Sequence, residues 1–457
     1  MKKLVFALVG LLLVGAVAFW YFHRDNDKAR DAVPEDAAAV AVLEPAKLVK
    51  DLGLDLKDVL KLASVAGDVE GTVDLTKPLY AFTTEKGVSG ISINVSDADK
   101  LLKLITGFGF ASEEQDGKQW VANDKSIGLI DKDKMVLMDA STPIEQDAMR
   151  EEISLLMSQS RKDVKALENL DKQDGLLRLS FPLNLVESLS SSISQPSDLG
   201  DLEGAVLNTA FQVEKKALKL SANLQTPTKL NIPLAPIKGD LANIGPSEPF
   251  LWLCVNMNGE ELLPYLRKAP QLRSALLALN MSVDADMMLK AIKGDVSLAV
   301  PKLDLQHPDF ILTASLSDTD FLKNADDWKG VTKRGAADFI MNDARIFFGV
   351  RDNKLYIASS EGMATNAFVE APNDAFQSAA KGKYLSASLN ANEILKAYPG
   401  VAILLRTVPQ IRDITDAVER VSLTADSPQS IELSLETSKP VKELISNLWT
   451  LLSGDQK

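Results

Sequence analysis

The stretch from Ile127 to Ala140 reads IGLIDKDKMVLMDA, and about 220 positions later Phe347 to Ser360 reads FFGVRDNKLYIASS. Each is a pair of apolar-rich runs around a short polar turn, Asp131-Lys132-Asp133 in the first and Arg351-Asp352-Asn353 in the second. Polar turns of this length join antiparallel strands, so both stretches predict a β-hairpin. A second pair keeps the same order and nearly the same spacing: Val95 to Leu101 (VSDADKL) returns as Leu316 to Leu322 (LSDTDFL). A period of about 210–220 residues is far above the 20–50 residues of solenoids and propellers. It marks duplication of a whole domain.

Working outward from the hairpins, both halves read in one order. A strand opens each, Ala38 to Leu43 or Phe250 to Val255, and helical stretches follow. Next come a short strand (Leu79 to Thr83; Asp295 to Val300), a longer one (Val88 to Val95; Phe310 to Leu316) and a helix after Ser96 or Ser317. The hairpin is followed by a further helix, which in the first half starts at Pro143 with Glu145 in its opening turn. Paired strands close each half, Ala205–Val213 with Leu218–Leu224 and Val418–Thr424 with Ile431–Glu436. A four-fold reading also exists, because Val40 to Leu52, Leu177 to Leu189, Leu251 to Leu266 and Leu385 to Tyr398 each join a strand, a turn and an amphipathic helix.

This pattern predicts an α+β fold: two tandem homologous domains, with largely antiparallel sheets covered by helices. The first repeat is expected over residues 37–228 and the second over 247–457. Between them, Pro233, Pro236 and Pro246 set residues 229–246 apart as a proline-rich linker. The chain closes on an amphipathic helix, where Val441, Leu444, Ile445, Leu448, Trp449 and Leu452 share one face. That face packs on the protein's own body, docks a partner or lies against a membrane.

The N-terminus adds one transmembrane helix to the expected fold. Nineteen residues without a charge run from Leu4 to Phe22. As a helix they measure roughly 28 Å, close to the ~30 Å of hydrocarbon in a bilayer. Residues 1–22 are therefore expected to be a membrane anchor of the signal-anchor kind, with the lipid bilayer as partner through Leu4 to Phe22. Ala16-Val17-Ala18 has the small-x-small pattern of a signal-peptidase site, so secretion after cleavage following Ala18 is the competing reading. The first gives a single-pass protein of the inner membrane with its body in the periplasm. Residues 23–36 (HRDNDKARDAVPED) read as a polar stalk.

Charge and chemistry exclude several function classes. The net charge of −13 repels phosphate backbones, and no basic stripe offsets it, so no nucleic-acid partner is expected. The single cysteine, Cys254, sits in an apolar strand-like run and reads as a buried, inert thiol. The two histidines, His23 and His307, lie at the end of the apolar segment and beside Pro308. The repeated Ser-Asp-x-Asp first suggests a carboxylate site. Ser96 and Ser317 instead read as helix N-caps, with Asp99 and Asp320 three residues on, and acidic residues there meet the positive end of the helix dipole. Asp131 to Lys134 reads as a turn and Asp25-Asn26-Asp27 as solvated stalk, since neither has the glycine and terminal Glu of a calcium loop. Phosphate-cradling, dinucleotide, zinc-protease and nucleophile-elbow motifs are missing from the sequence. No catalytic, cofactor-binding or metal-binding residue and no cofactor is therefore assigned. Trp252 reads as core or sheet face, while the polar neighbourhood of Trp328 admits an exposed contact, as a ligand groove would need.

The opening Val33 to Val42 (VPEDAAAVAV) resembles the start of a family of Gram-negative bacterial cell-envelope proteins, built on a domain of unknown function and often lipoproteins. Asp74 to Phe82, Glu114 to Gly117 and Glu145 to Arg150 are similar to it too. The resemblance implies an envelope location and carries no activity. The chain departs from it by lacking an anchoring cysteine. The expected function is that of a membrane-anchored, non-enzymatic binding or scaffold protein with an envelope protein or glycan partner. The alternative is a carboxylate-dependent envelope hydrolase acting on a glycan, which needs two acids about 5–10 Å apart.

Overall fold

The computed structural model describes residues 27–52, 71–140, 142–158, 164–184, 202–230, 232–241, 249–304, 309–343, 345–369, 375–397 and 409–446. The chain divides into two compact units. The first takes Met1–Ser194, Leu202–Pro227 and Lys439–Lys457, and the second takes Gln195–Asp201 and Thr228–Ser438.

In the first unit ten strands follow the chain as β1 (Ala37–Leu43), β2 (Leu79–Thr84), β3 (Ser89–Asn94), β4 (Ala111–Gln115), β5 (Lys118–Ala122), β6 (Ser126–Ile130), β7 (Lys134–Asp139), β8 (Leu177–Pro182), β9 (Val206–Glu214) and β10 (Ala217–Gln225). Every pairing is antiparallel, and the order across the sheet is β4-β5-β6-β7-β3-β2-β1-β8-β9-β10.

The second unit contains β11 (Leu234–Ala235), β12 (Leu251–Asn258), β13 (Ile292–Val300), β14 (Ile311–Leu316), β15 (Val331–Lys333), β16 (Asp338–Met341), β17 (Ile346–Arg351), β18 (Lys354–Ala358), β19 (Leu385–Asn390), β20 (Val418–Ser427) and β21 (Ser430–Thr437). Its order is β15-β16-β17-β18-β14-β13-β12-β19-β20-β21, again antiparallel, with β11 paired to the end of β12. Strand for strand, this is the order of the first unit.

The expected helix-covered α+β class is corrected by this architecture. Antiparallel sheet dominates, and the described helices are few and short. Only Pro143–Ser158 exceeds eleven residues. Apart from Pro143–Ser158, the described parts of the stretches taken as covering helices supply at most about three turns each, so the strand ladders satisfy most of the described backbone.

The expected transmembrane helix is corrected as well. No helix among the described residues is long and apolar enough to cross a membrane. Even Pro143–Ser158 would span only about 24 Å, and it carries Glu145, Asp147, Arg150, Glu151 and Glu152. Leu4 to Phe22 and His23 lie outside the described residues. The expected single-pass inner-membrane address with a periplasmic body thus has no membrane-crossing helix among the described residues to carry it.

The described residues of two expected connectors are folded structure. Within the supposed stalk, α1 (Lys28–Asp31) is capped by Asp27, and Ala29, Ala32 and Val33 are completely buried in the first unit's core. Asn94 Nδ2 donates to Asp27 Oδ1 at 2.8 Å, Tyr80 Oη donates to the other carboxylate oxygen, and Ser92 Oγ donates to the Ala29 carbonyl at 2.7 Å. Within the supposed linker, buried Asp295 accepts from the backbone amides of Lys238, Gly239 and Asp240 at 2.7–3.0 Å.

The closing segment also has a different place from the expected one in the second repeat. Val441 and Leu444 are buried, and Val441 with Ile445 joins the first unit's core. The Val441 amide donates to the Lys215 carbonyl at 2.9 Å. Leu448, Trp449 and Leu452 lie outside the described residues.

Candidate functional site: an apolar groove in the first sheet

Alternation along β1 sends Val40 and Val42 into the core and leaves Ala39 and Ala41 half-buried on the opposite face. The same face continues in register through Ala81 of β2, Ile91 of β3 and Leu137 of β7 on one side, and through Leu179 of β8 on the other. These residues line a groove of about 430 Å³ whose floor is made by Ala39, Ala41 and Ala81. Leu137 and Ile91 close one end, and Leu179 and Phe181 the other. Five strands at about 4.8 Å spacing give the apolar row a length of roughly 19 Å.

The groove has one polar corner. Thr83, Ser89 and Asp139 line it there, and the hydroxyls of Thr83 and Ser89 are 3.2 Å apart. Asp139 is exposed.

The second unit shows why this space exists. Its matching row runs Ile357, Leu312, Leu298, Leu253 and Ala387 in the same register. Leu253 and Leu298 stand where the first unit has Ala41 and Ala81, and Leu251 stands where it has Ala39. Each leucine carries three more carbons than alanine. The second unit fills the middle of the face that the first leaves open, and ends it on Ala387 where the first has Leu179.

A buried ion pair fixes the groove floor from the core side. Arg178 of β8 donates from Nη2 to Glu44 Oε1, just past β1, at 2.6 Å, and from Nη1 to the Leu170 carbonyl at 3.1 Å. Both side chains are only 10% exposed. The pair ties together the two strands that carry Ala41 and Leu179.

Residues singled out in the sequence have structural places. Asp97, not Ser96, caps the helix α2 (Ala98–Gly107), accepting from the Lys100 amide at 3.0 Å. That contact holds the Asp97 carboxyl below its usual range. In the second copy Asp318 accepts from the Asp320 amide at 3.1 Å, while Ser317 Oγ donates to the Ala291 carbonyl. Asp131 to Lys134 turns the β6–β7 hairpin, closed by the Asp131 amide donating to the Lys134 carbonyl.

Cys254 is fully buried between Ser297 and Ser386 of the flanking strands, and burial, with the Asp295 charge, pushes its thiol up to about 12. Trp252 is buried in the core. Trp328 packs edge-on to Phe339 at 5.2 Å and beside Phe348, so its polar neighbours in sequence do not set its surroundings. Trp120 is buried under the Arg150 guanidinium. Asp25, Asn26 and His307 lie outside the described residues. Among the described residues no group of three or more His, Cys, Asp or Glu side chains is gathered as a metal site.

Sequence reasoning missed the groove, because its lining residues come from five strands that meet only in the folded register. It also missed the β4–β5 hairpin, whose Asp116-Gly117 turn is a type I′ signal with φ of 53° and 71°.

Comparisons with known proteins add little about chemistry. No curated protein matches. The chain is 13% identical to TP0453 in its crystal form IV, covering 43% of this chain and 79% of that one at a TM-score of 0.31. Crystal form III gives 15%, 44%, 82% and 0.32. A DnaN sliding clamp (DNA polymerase III subunit beta) from Pseudomonas aeruginosa bound to griselimycin is 9% identical over 88% of this chain and 99% of that one, at 0.11. None of these likenesses bears on fold or function here, and nothing in the matches bears on an envelope or lipoprotein status. One family model, described as a domain of unknown function (DUF4836), matches residues 55–439. That span takes in nearly all of both sheets, and the chain belongs to the DUF4836 family.

Proposed function

We propose that the chain is a non-enzymatic binding protein whose first unit holds an elongated, largely apolar molecule in the alanine-floored groove. The observation that carries this reading is that Ala39, Ala41 and Ala81 stand where the second unit has Leu251, Leu253 and Leu298, while the end position is reversed, with Leu179 in the first unit and Ala387 in the second. Ligand sites are concave, mostly apolar and about 300–1,000 Å³ in volume, with a few polar groups that orient the ligand. The groove has that size and that lining. Its polar corner offers one carboxylate, Asp139, with the Thr83 and Ser89 hydroxyls, which suits an end group that donates hydrogen bonds, such as an ammonium or a hydroxyl. A two-acid hydrolase needs a second carboxylate facing the first, whereas Asp139 is the single carboxylate of the described groove lining.

Photo-crosslinking of the full chain with a diazirine-bearing dodecylamine tests the reading. Adducts mapped by mass spectrometry to peptides holding Ala41, Ala81 or Leu179 support it. Adducts confined to other peptides, or none, overturn it.

A further inference from the structure

The register that aligns the two sheets extends one step along the groove, into a second row parallel to the apolar one. Beyond Ala41 and Ala81 the next residues on the same face are Ala39, Thr83 and Ser89, paired in register. Asp139 continues the row on β7, one residue past the Gly90–Met138 pair. The second unit has Val300, Phe310 and Ser359 where the first has Thr83, Ser89 and Asp139. The Ser359 hydroxyl is engaged locally, donating to Asp309 Oδ1 at 3.1 Å and accepting from the Phe310 amide at 2.9 Å. The Asp139 carboxylate has no hydrogen-bond or ion-pair partner among the described residues. The unit that opens the groove therefore also makes one end of it polar and leaves that end unpaired.

The chemistry of this end selects a head group. One hydrogen joins the Thr83 and Ser89 hydroxyls across 3.2 Å, which leaves one O–H and three lone pairs for a guest. Opposed residues of antiparallel strands lie about 5 Å apart, so Asp139 and Ser89 reach the same end group. The described lining contains no Lys, Arg or His. A carboxylate or phosphate head would meet Asp139 without a counter-charge, in a chain of net charge −13. An ammonium for Asp139, with a hydroxyl on the next carbon for the Thr83–Ser89 pair, satisfies all three side chains.

Resting on the binding reading above, we propose that the groove selects a long-chain vicinal amino alcohol, with Asp139, Thr83 and Ser89 as its specificity-determining residues. The ammonium meets Asp139, the hydroxyl meets Thr83 and Ser89, and the alkyl chain crosses Ala81 and Ala41 towards Leu179.

Competition against the diazirine-bearing dodecylamine tests this in the full chain, read on the peptides holding Ala41, Ala81 or Leu179. Four ten-carbon competitors are ranked. 1-Amino-2-decanol is expected to displace the probe best, and decylamine to need about threefold more. 1-Decanol should need about threefold more again, and decanoate should displace least. Asp139→Asn erases the advantage of decylamine over 1-decanol. Thr83→Val with Ser89→Ala erases that of 1-amino-2-decanol over decylamine. Thermal unfolding should stay unchanged, because all three side chains are exposed or half-buried. Any other order in wild type, or an unchanged order in both variants, overturns the proposal and leaves the binding reading in place. Absence of adducts on those peptides overturns both.

Discussion

Ala41 in the first unit and Leu253 in the second hold the same register position, Ala41 between β2 and β8 and Leu253 between their counterparts β13 and β19. Ala41 faces Ala81 and Leu179, and Leu253 faces Leu298 and Ala387. The duplication keeps the scaffold and redistributes side-chain volume along this face: three alanines stand against leucines, and Leu179 stands against Ala387. A binding function is argued from that difference.

The Glu44–Arg178 pair holds β1 to β8 under the groove. Glu44→Ala leaves the buried guanidinium without its carboxylate and is expected to cost about 3–5 kcal/mol by urea unfolding. The Glu44→Leu/Arg178→Met double variant should recover most of that loss, because apolar residues of similar volume often match a buried ion pair. If the double variant is as unstable as the single one, the pair is not acting through charge burial.

Asp27 gives the N-terminal turn a pH dependence of definite sign. Burial raises its carboxyl above the ordinary value of 3.8, outweighing the hydrogen bonds from Asn94 and Tyr80. A raised folded pKa favours the protonated form, so its contribution is fully present below about 3.8 and is lost as pH rises through the raised folded value. Measured against Asp27→Asn, wild type should therefore gain relative stability as pH falls from 7 towards 4. The amide of Ala29, which donates to Asn94 Oδ1 at 3.3 Å, should exchange more slowly over the same range. A stability difference that is flat across this range would contradict the assignment.

Cys254 should be chemically silent in the folded protein. Its thiol, fully buried and shifted up to about 12, presents almost no thiolate at pH 8. Iodoacetamide is expected to label it only in denaturant, as read by intact-mass spectrometry. Labelling of the native protein at the denatured rate would contradict its placement between Ser297 and Ser386.

The sheets were legible in the sequence wherever strands alternate and turns are punctuated. The β6–β7 and β17–β18 hairpins follow from Asp131 to Asp133 and from Arg351 to Asn353, where Asp352 and Asn353 take φ of 49° and 56°. The β4 strand was not legible, because ASEEQ is polar and exposed throughout and shows no apolar period. The stalk reading failed for a different reason. Its charged residues hide Ala29, Ala32 and Val33, whose burial is decided by distant partners such as Asn94 and Ser92. The groove is the extreme case, since Leu137, Ile91, Ala81, Ala41 and Leu179 meet only when five strands are in register.

The most direct measurement is calorimetric titration of the full chain with dodecylammonium below its micellar range, compared with an Ala41→Leu/Ala81→Leu variant. The variant places the second unit's Leu253 and Leu298 side chains at the centre of the first unit's groove floor. The account predicts binding by wild type and an affinity at least about tenfold lower in the variant, about 1.4 kcal/mol, at unchanged thermal stability. Equal affinity in the two proteins would contradict it.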